Sequence, residues 1–292
     1  MIKKKASALS FVVAIIVSLG GMLSANPATA AYWRFEGGTS GNPIVTAASE
    51  VNNDTMSGAQ WAGNENDALY SSDVAAPYIY DPVEDRYREN LGSMLAPAGE
   101  STDDCMIVAG ENYGLAAAVP SGSWTLEMFA KTEDNGGAAN FGGSLVSRII
   151  NLDGSTGCNG RVGTAGSGTT TFQVYLGSDT SPLNYASYNV FQDGVWHHLA
   201  YVADYDGTET TVTVFVDSEN RGSVSVSGEI THDTYNWMGV RFGMANSQLS
   251  NYDWFFDDVR LSDGALTTNQ FLQISDHGST NNARAVVFGI VK

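Results

Sequence analysis

The stretch GVWHHLAYVADYDGTETTVTVFVD at residues 194–217 decides the fold. In its first run Trp196, His198, Ala200 and Val202 fall on one face, with Val195, His197, Leu199 and Tyr201 on the other. In its second run Val212, Val214 and Val216 alternate with Thr211, Thr213 and Phe215. Two runs of period two, broken at Asp204-Tyr205-Asp206-Gly207, predict a β-hairpin with a glycine-containing loop. The first run is apolar on both faces, as in a strand covered on both sides, whereas the second has one wet face. That combination predicts stacked sheets.

The same alternation recurs along the chain. Strands are expected at Ala31–Glu36, Trp124–Lys131, Ser144–Asn151, Thr170–Leu176, Val195–Ala203, Thr210–Asp217, Gly222–Val226, Val240–Ala245 and Trp254–Leu261. Short strands between turn clusters, without βα alternation, indicate an all-β sandwich or jelly roll. One short C-terminal helix is expected over Thr268–Ile274, capped by Thr267. Residues 37–123 are rich in Asn, Asp, Ser, Gly and Ala and carry Tyr78, Tyr80, Tyr87 and Tyr113. Nothing gives them a core of their own, so they read as loops with a few strands.

The N-terminus has the form of a secretory signal. Lys3, Lys4 and Lys5 precede an apolar run from Ala8 to Leu23, and Ala28-Thr29-Ala30 supplies a small-residue cleavage site. The expected organisation is a signal peptide at 1–30, one domain at 31–275 and a tail at 276–292. The mature protein is then secreted, periplasmic or displayed at the cell surface, with no membrane span. Cleavage after Ala30 removes three lysines and leaves 11 basic against 32 acidic residues. So negative a chain disfavours nucleic acid and anionic membranes as partners. Acidic groups also suit a hard divalent cation, although solubility alone accounts for the same charge. Cys105 and Cys158 are the only cysteines, and export places them where a disulfide persists. Such a bridge contributes about 3–4 kcal/mol in the chain-entropy picture.

Hydrolysis of a glycan needs a recognisable set of groups, and that set is not present. A glycosidase pairs two carboxyls across the scissile bond. Glu127 has Thr125 and Phe129 as same-face neighbours and no acid at i+2 or i+4, so it reads as a rim or sheet-face residue. His197 and His198 have no nucleophile or metal-ligand motif beside them and read as structural, with Trp196 in the core. For carbohydrate binding, rings cover the apolar faces of a sugar while amides bond its hydroxyls. The candidates are Gln173 with Tyr175, and Tyr235, Trp237 and Tyr252.

Three motifs together resemble the laminin-G-like jelly-roll domains of the concanavalin A-like lectin/glucanase superfamily, as found in exported bacterial proteins. They are Ala31-Tyr32-Trp33-Arg34-Phe35-Glu36, Val195–Asp217, and Phe256-Asp257-Asp258-Val259-Arg260-Leu261 followed by Gly264-Ala265-Leu266-Thr267. The resemblance implies a two-sheet antiparallel β-sandwich whose members bind carbohydrates, bind proteins or hydrolyse glycans. It also implies calcium between the first and last strands, with Glu36, Asp257 and Asp258 as ligands. The alternative for the two aspartates is an ion pair with Arg260 or Arg241. The combined expectation is a non-catalytic binding or adhesion module, with a glycan or cell-surface polysaccharide as partner. The alternatives are a hydrolase or lyase with an atypical site, and a structural surface protein that binds other proteins.

Overall fold

The computed structural model describes residues 27–44, 46–51, 55–58, 69–96, 107–108, 121–132, 144–148, 158–164, 170–176, 193–229 and 253–276. Among these there are strands β1 (Ala28–Trp33), β2 (Thr46–Ala48), β3 (Thr55–Gly58), β4 (Leu69–Ser71), β5 (Tyr78–Asp81) and β6 (Arg86–Glu89). Next come β7 (Ser93–Ala96), β8 (Ile107–Val108), β9 (Trp124–Thr132), β10 (Ser144–Arg148), β11 (Cys158–Thr164) and β12 (Thr170–Leu176). The chain continues through β13 (His197–Tyr205), β14 (Glu209–Val216), β15 (Glu219–Ser227), β16 (Trp254–Asp263) and β17 (Ile274–Ser275). The architecture is thus the expected antiparallel β-sandwich class, and no helix among the described residues is long and apolar enough to cross a membrane.

The main sheet has eight strands in the order β15-β14-β13-β9-β16-β7-β4, with β1 also paired to β16. The expected hairpin lies within it, between the edge strand β15 and the central β9. β13 pairs with β14 from Leu199↔Val216 to Tyr205↔Thr210. Asp206 builds the turn, its Oδ1 accepting the N–H groups of Thr208 (2.8 Å) and Glu209 (2.9 Å). Gly207, at φ 99°, supplies the left-handed residue that the turn requires. The strand starts at His197 rather than Val195, because Val195 and Trp196 lie before the ladder and Val195 is 54% exposed. Trp196 is accordingly half-buried, not a core residue. Its Nε1–H donates to Asp73 Oδ1 at 3.0 Å and its ring meets Phe255 edge-on.

One face of this sheet is apolar through its centre. Trp124, Leu126, Met128 and Ala130 of β9 lie beside Leu199, Tyr201 and Ala203 of β13 and Val212, Val214 and Val216 of β14, all buried. The opposite face carries Phe129, His198, Ala200 and Val202, and a covering layer closes it. Leu266 and Phe271 pack on Ala200 and Val202, while Leu272 and Ile79 pack on Tyr32 and Phe129. Burying each such side chain is worth about 1.5–3 kcal/mol, which suffices to hold the layer down. The covering layer includes a small sheet in the order β17-β5-β6.

The expected helix over 268–274 is only a single 3-10 turn at Thr268–Gln270. Gln270 Oε1 accepts the Thr267 N–H at 2.8 Å, and Phe271 is already extended. Two demands stop the helix. Phe271 and Leu272 must both reach the sheet face, and Ile274 must be extended to pair with Ile79 of β5. The expected cleavage point after Ala30 falls inside β1, whose fully buried residues Ala31, Tyr32 and Trp33 lie beyond it.

At the β14–β15 turn Asp217 and Ser218 have φ of 51° and 64°, the paired left-handed conformation of a tight hairpin. Asp217 Oδ1 accepts the His198 N–H at 3.0 Å, and its Oδ2 lies 2.7 Å from His197 Nδ1. Burial disfavours the His197 cation. The hydrogen bond and charge of Asp217, with Asp193 beside it, outweigh burial and raise the imidazole pKa above its ordinary value. A raised histidine pKa stabilises the fold below the unfolded value near 6.5, and the contribution disappears as pH rises through the folded value. Urea midpoints measured from pH 5 to 9 should therefore fall across that window in the native protein, and His197→Gln should flatten the fall.

Candidate functional site

The candidate ligands of the last strand sit on a β-bulge. On β16, Asp257 pairs with Phe129 and Arg260 with Glu127, so Asp258 and Val259 together oppose the single residue Met128. Asp258 has φ 46°, a left-handed conformation that a short polar side chain tolerates. The extra residue resets the alternation and places Asp257 and Arg260 on the same sheet face, beside Phe129 and Glu127. Both aspartates are completely buried.

Arg88 of β6 gathers two of the carboxylates expected to hold an ion, Glu36 and Asp258. Its Nη2 donates to Asp258 Oδ1 at 2.5 Å and to the Tyr32 hydroxyl at 3.0 Å. Its Nε reaches Asp81 Oδ2 at 3.2 Å, its Nη1 pairs with Glu36, and the Tyr32 hydroxyl donates to Asp258. Arg34 closes the group, 3.2 Å from Asp81 and 3.0 Å from Glu36. Burial pushes Asp258 up to about 6, even though Arg88 and the Tyr32 hydroxyl pull it down. Burial, with the charge of Asp258 next, drives Asp257 well above the usual carboxylate range. Asp257 Oδ2 accepts from the Ala75 N–H (2.9 Å) and from Asn90 Nδ2 (2.7 Å). The two carboxyls also act on each other, their mutual hydrogen bond raising Asp257 and lowering Asp258, so Asp257 is the one that holds its proton more firmly.

This donor set does not fit a calcium ion held by Glu36, Asp257 and Asp258. Calcium takes 6–8 oxygens, but Arg88 already occupies an oxygen of Glu36 and of Asp258 and supplies the positive charge at that place. Among the described residues no group of three or more His, Cys, Asp or Glu side chains is arranged for a metal. The ion pair considered for the two aspartates does not involve Arg260. Asp258 pairs with Arg88, Arg260 belongs to Glu127, and Arg241 lies outside the described residues.

Glu127 is not at a rim but completely buried. Its Oε1 takes the Arg260 Nε–H at 2.6 Å, and its Oε2 takes the Leu272 N–H and lies 2.8 Å from His198 Nε2. Burial alone would raise its pKa. The Arg260 charge and the His198 contact more than reverse that and hold it below the ordinary carboxylate value. Arg260 Nη2 in turn donates to the Gln270 carbonyl at 2.6 Å, so the carboxylate pins the covering segment to the sheet. A carboxylate so enclosed holds structure together and cannot meet a substrate.

The carbohydrate candidates Gln173 and Tyr175 lie on β12 of a separate three-stranded sheet, in the order β10-β11-β12. Tyr175 pairs with Asn159 and Gln173 with Arg161, so the four residues share one face. Tyr235, Trp237 and Tyr252 lie outside the described residues, as does Cys105. Cys158 pairs with Leu176 on the opposite face of that sheet. Sequence reasoning missed Arg88, Asp81, Arg34 and Tyr32 as members of the buried cluster. The alternation Tyr78-Ile79-Tyr80-Asp81, facing Arg86-Tyr87-Arg88-Glu89, carried a signal: Asp81 and Arg88 fall in phase with buried Ile79.

Arg88→Met strands buried carboxylates and should lower unfolding free energy by about 3–5 kcal/mol in urea titration. Asp258→Asn keeps a partner for Tyr32 and should cost less than half of that. With Arg88 in place, melting temperatures of the native protein and of Asp258→Asn should respond identically to calcium and to chelator.

The family model Laminin_G_3, described as the Concanavalin A-like lectin/glucanases superfamily, matches residues 110–270 of the 292. No curated protein matches the sequence. Among solved structures, the fold is similar to the Emp46p carbohydrate recognition domain in metal-free form (11% identity, 60% of this chain and 83% of that one, TM-score 0.40). It is also similar to the botulinum neurotoxin serotype D binding domain (11% identity, 84% of this chain and 50% of that one, TM-score 0.49). A third likeness is to domain 4 of AbnA, an extracellular arabinanase from Geobacillus stearothermophilus (12% identity, 84% and 97% coverage, TM-score 0.40). The family match covers more than half of the sequence, and the chain belongs to the concanavalin A-like lectin/glucanases superfamily.

Proposed function

We propose that this protein is an exported, non-catalytic glycan-binding module. The observation that carries the reading is the shared face of β11 and β12, where Tyr175 stands opposite Asn159 and Gln173 is two positions along. One ring with two amides at cross-strand spacing supplies a stacking surface and hydroxyl partners for a sugar. The family to which the chain belongs includes lectins, which favours the same reading, although a fold alone does not select a ligand. The burial of Glu127 supports a binding role over a hydrolytic one, since the carboxylate of β9 is committed to Arg260, His198 and Leu272.

A glycan array should return binding that Tyr175→Ala weakens at least about tenfold, the loss of roughly 1.4 kcal/mol expected from one stacked ring. Binding untouched by Tyr175→Ala and Gln173→Ala would move the site elsewhere. Glycan cleavage abolished by Glu127→Gln, with the fold intact by circular dichroism, would contradict the non-catalytic role.

A further inference from the structure

The small covering sheet β17-β5-β6 packs on the core with one face only. Ile79, Asp81 and Arg88 on that inner face are buried, and Ile274 packs beside them against Tyr32 and Leu272. The register turns the alternate residues outward in two rows about 7 Å apart along the strands. Ser275, Tyr78 and Glu89 form one row, and Gln273, Tyr80 and Tyr87 form the other. The three tyrosines are partly exposed, and Glu89 is exposed. Three rings therefore pave the outer side of a sheet whose inner side is locked to the buried charges of Arg88 and Asp81.

Two of these rings are held in place before any ligand arrives. Tyr80 and Tyr87 meet edge to face with centroids 5.6 Å apart. The Tyr80 hydroxyl donates to Asp85, and the Tyr87 hydroxyl donates to Gln273 Oε1 at 3.3 Å. Asp81 Oδ1 fixes the hairpin turn by accepting the N–H groups of Val83 (2.8 Å) and Glu84 (3.0 Å). Little side-chain freedom is left to lose on binding, so contact with the rings converts more fully into affinity. A tyrosine ring covers the C–H face of a sugar, while phenol and carboxylate oxygens accept its hydroxyl protons. Gln273 Nε2 gives one hydrogen to the Asn269 carbonyl at 3.4 Å and keeps a second for a sugar oxygen. Charge then selects the kind of sugar. Asp85 touches Tyr80, Glu89 stands opposite Tyr78, and the exposed Arg86 is already paired with Glu84 at 2.5 Å. An anionic polymer is repelled by this rim at distances too short for salt to screen.

We propose that this outer face is a second sugar-binding surface, which takes a neutral, flat, ribbon-like glycan across Tyr78, Tyr80 and Tyr87. The proposal rests on the glycan-binding reading above but not on its β10–β12 site. The probes are cellohexaose, polygalacturonate and a proline-rich peptide, each titrated calorimetrically into the whole exported protein. Every titration is made in a Tyr175→Ala background, which removes the ring proposed for the β10–β12 face, and melting temperature controls for folding. Cellohexaose should still bind there, and Tyr80→Ala or Tyr87→Ala should each weaken it about tenfold. Polygalacturonate should bind at least about tenfold less tightly than cellohexaose, and Glu89→Gln should narrow that gap. Tyr80→Phe keeps the ring, gives up only the bond to Asp85, and should retain most of the affinity. If Tyr80→Ala fails to fold, Tyr78→Ala carries the same test, because the Tyr78 hydroxyl makes no bond among the described residues. Cellohexaose binding indifferent to all three tyrosines would overturn the surface. So would loss of all binding in the Tyr175→Ala background, and binding by the protein with Tyr175 intact would then leave the β10–β12 module standing. Equal affinity for the acidic polymer would overturn the neutral glycan. Peptide binding that depends on Tyr80 and displaces cellohexaose would make this face a peptide dock instead.

Discussion

The structure depends on one extra residue in β16. By setting Asp258 and Val259 against Met128 alone, the bulge turns Asp257 and Arg260 toward the same side of the sheet. Strand β16 pairs with β9 along one side and with β7 and then β1 along the other, so this shift is felt across the centre of the main sheet. Two buried charge groups follow from it. Arg260 meets Glu127, and Asp258 meets Arg88 and Tyr32. Each group joins the sheet to the layer above, Glu127 through Leu272 and Gln270 of the covering segment, Asp258 through the β5–β6 hairpin.

Buried ions are costly to desolvate and rarely add net stability over an apolar replacement. Their use here is orientation. Apolar contacts of Phe271, Leu266 and Leu272 hold the covering layer against the sheet but permit many placements. The bonds from Arg260 to the Gln270 carbonyl and from the Leu272 N–H to Glu127 select one. The same polar layer bears on function. It fills the face of the main sheet around Glu127, so that the β9 carboxylate faces protein rather than solvent.

Much of the fold was legible because alternation reports it directly. Thr170–Leu176 matches β12 residue for residue, and the hairpin at 194–217 is in the expected place with its strands displaced by one or two residues. Long-range partners were not legible. Arg88 and Asp258 are 170 residues apart, and nothing local in either segment names the other. The bulge also misled a period-two reading, which places Asp257 with Val259 and Leu261 rather than with Arg260. The short helix failed for a related reason: local capping at Thr267 favoured it, and the demand that Phe271, Leu272 and Ile274 each reach a different partner ended it. Gln173 and Tyr175 were found from residue type alone, and the structure adds Asn159, Arg161 and Arg148 to their face through register.

Glycan binding through the β10–β12 sheet, away from the polar layer of the main sheet, is the proposal on which the functional account stands. Hydrogen–deuterium exchange with mass spectrometry, with and without the best glycan ligand, tests it most directly. The account predicts added protection in peptides that cover β10, β11 and β12, with β9, β13 and β16 unchanged. Protection confined to the main sheet or to the β5–β6 hairpin, with residues 144–176 unaffected, would contradict it.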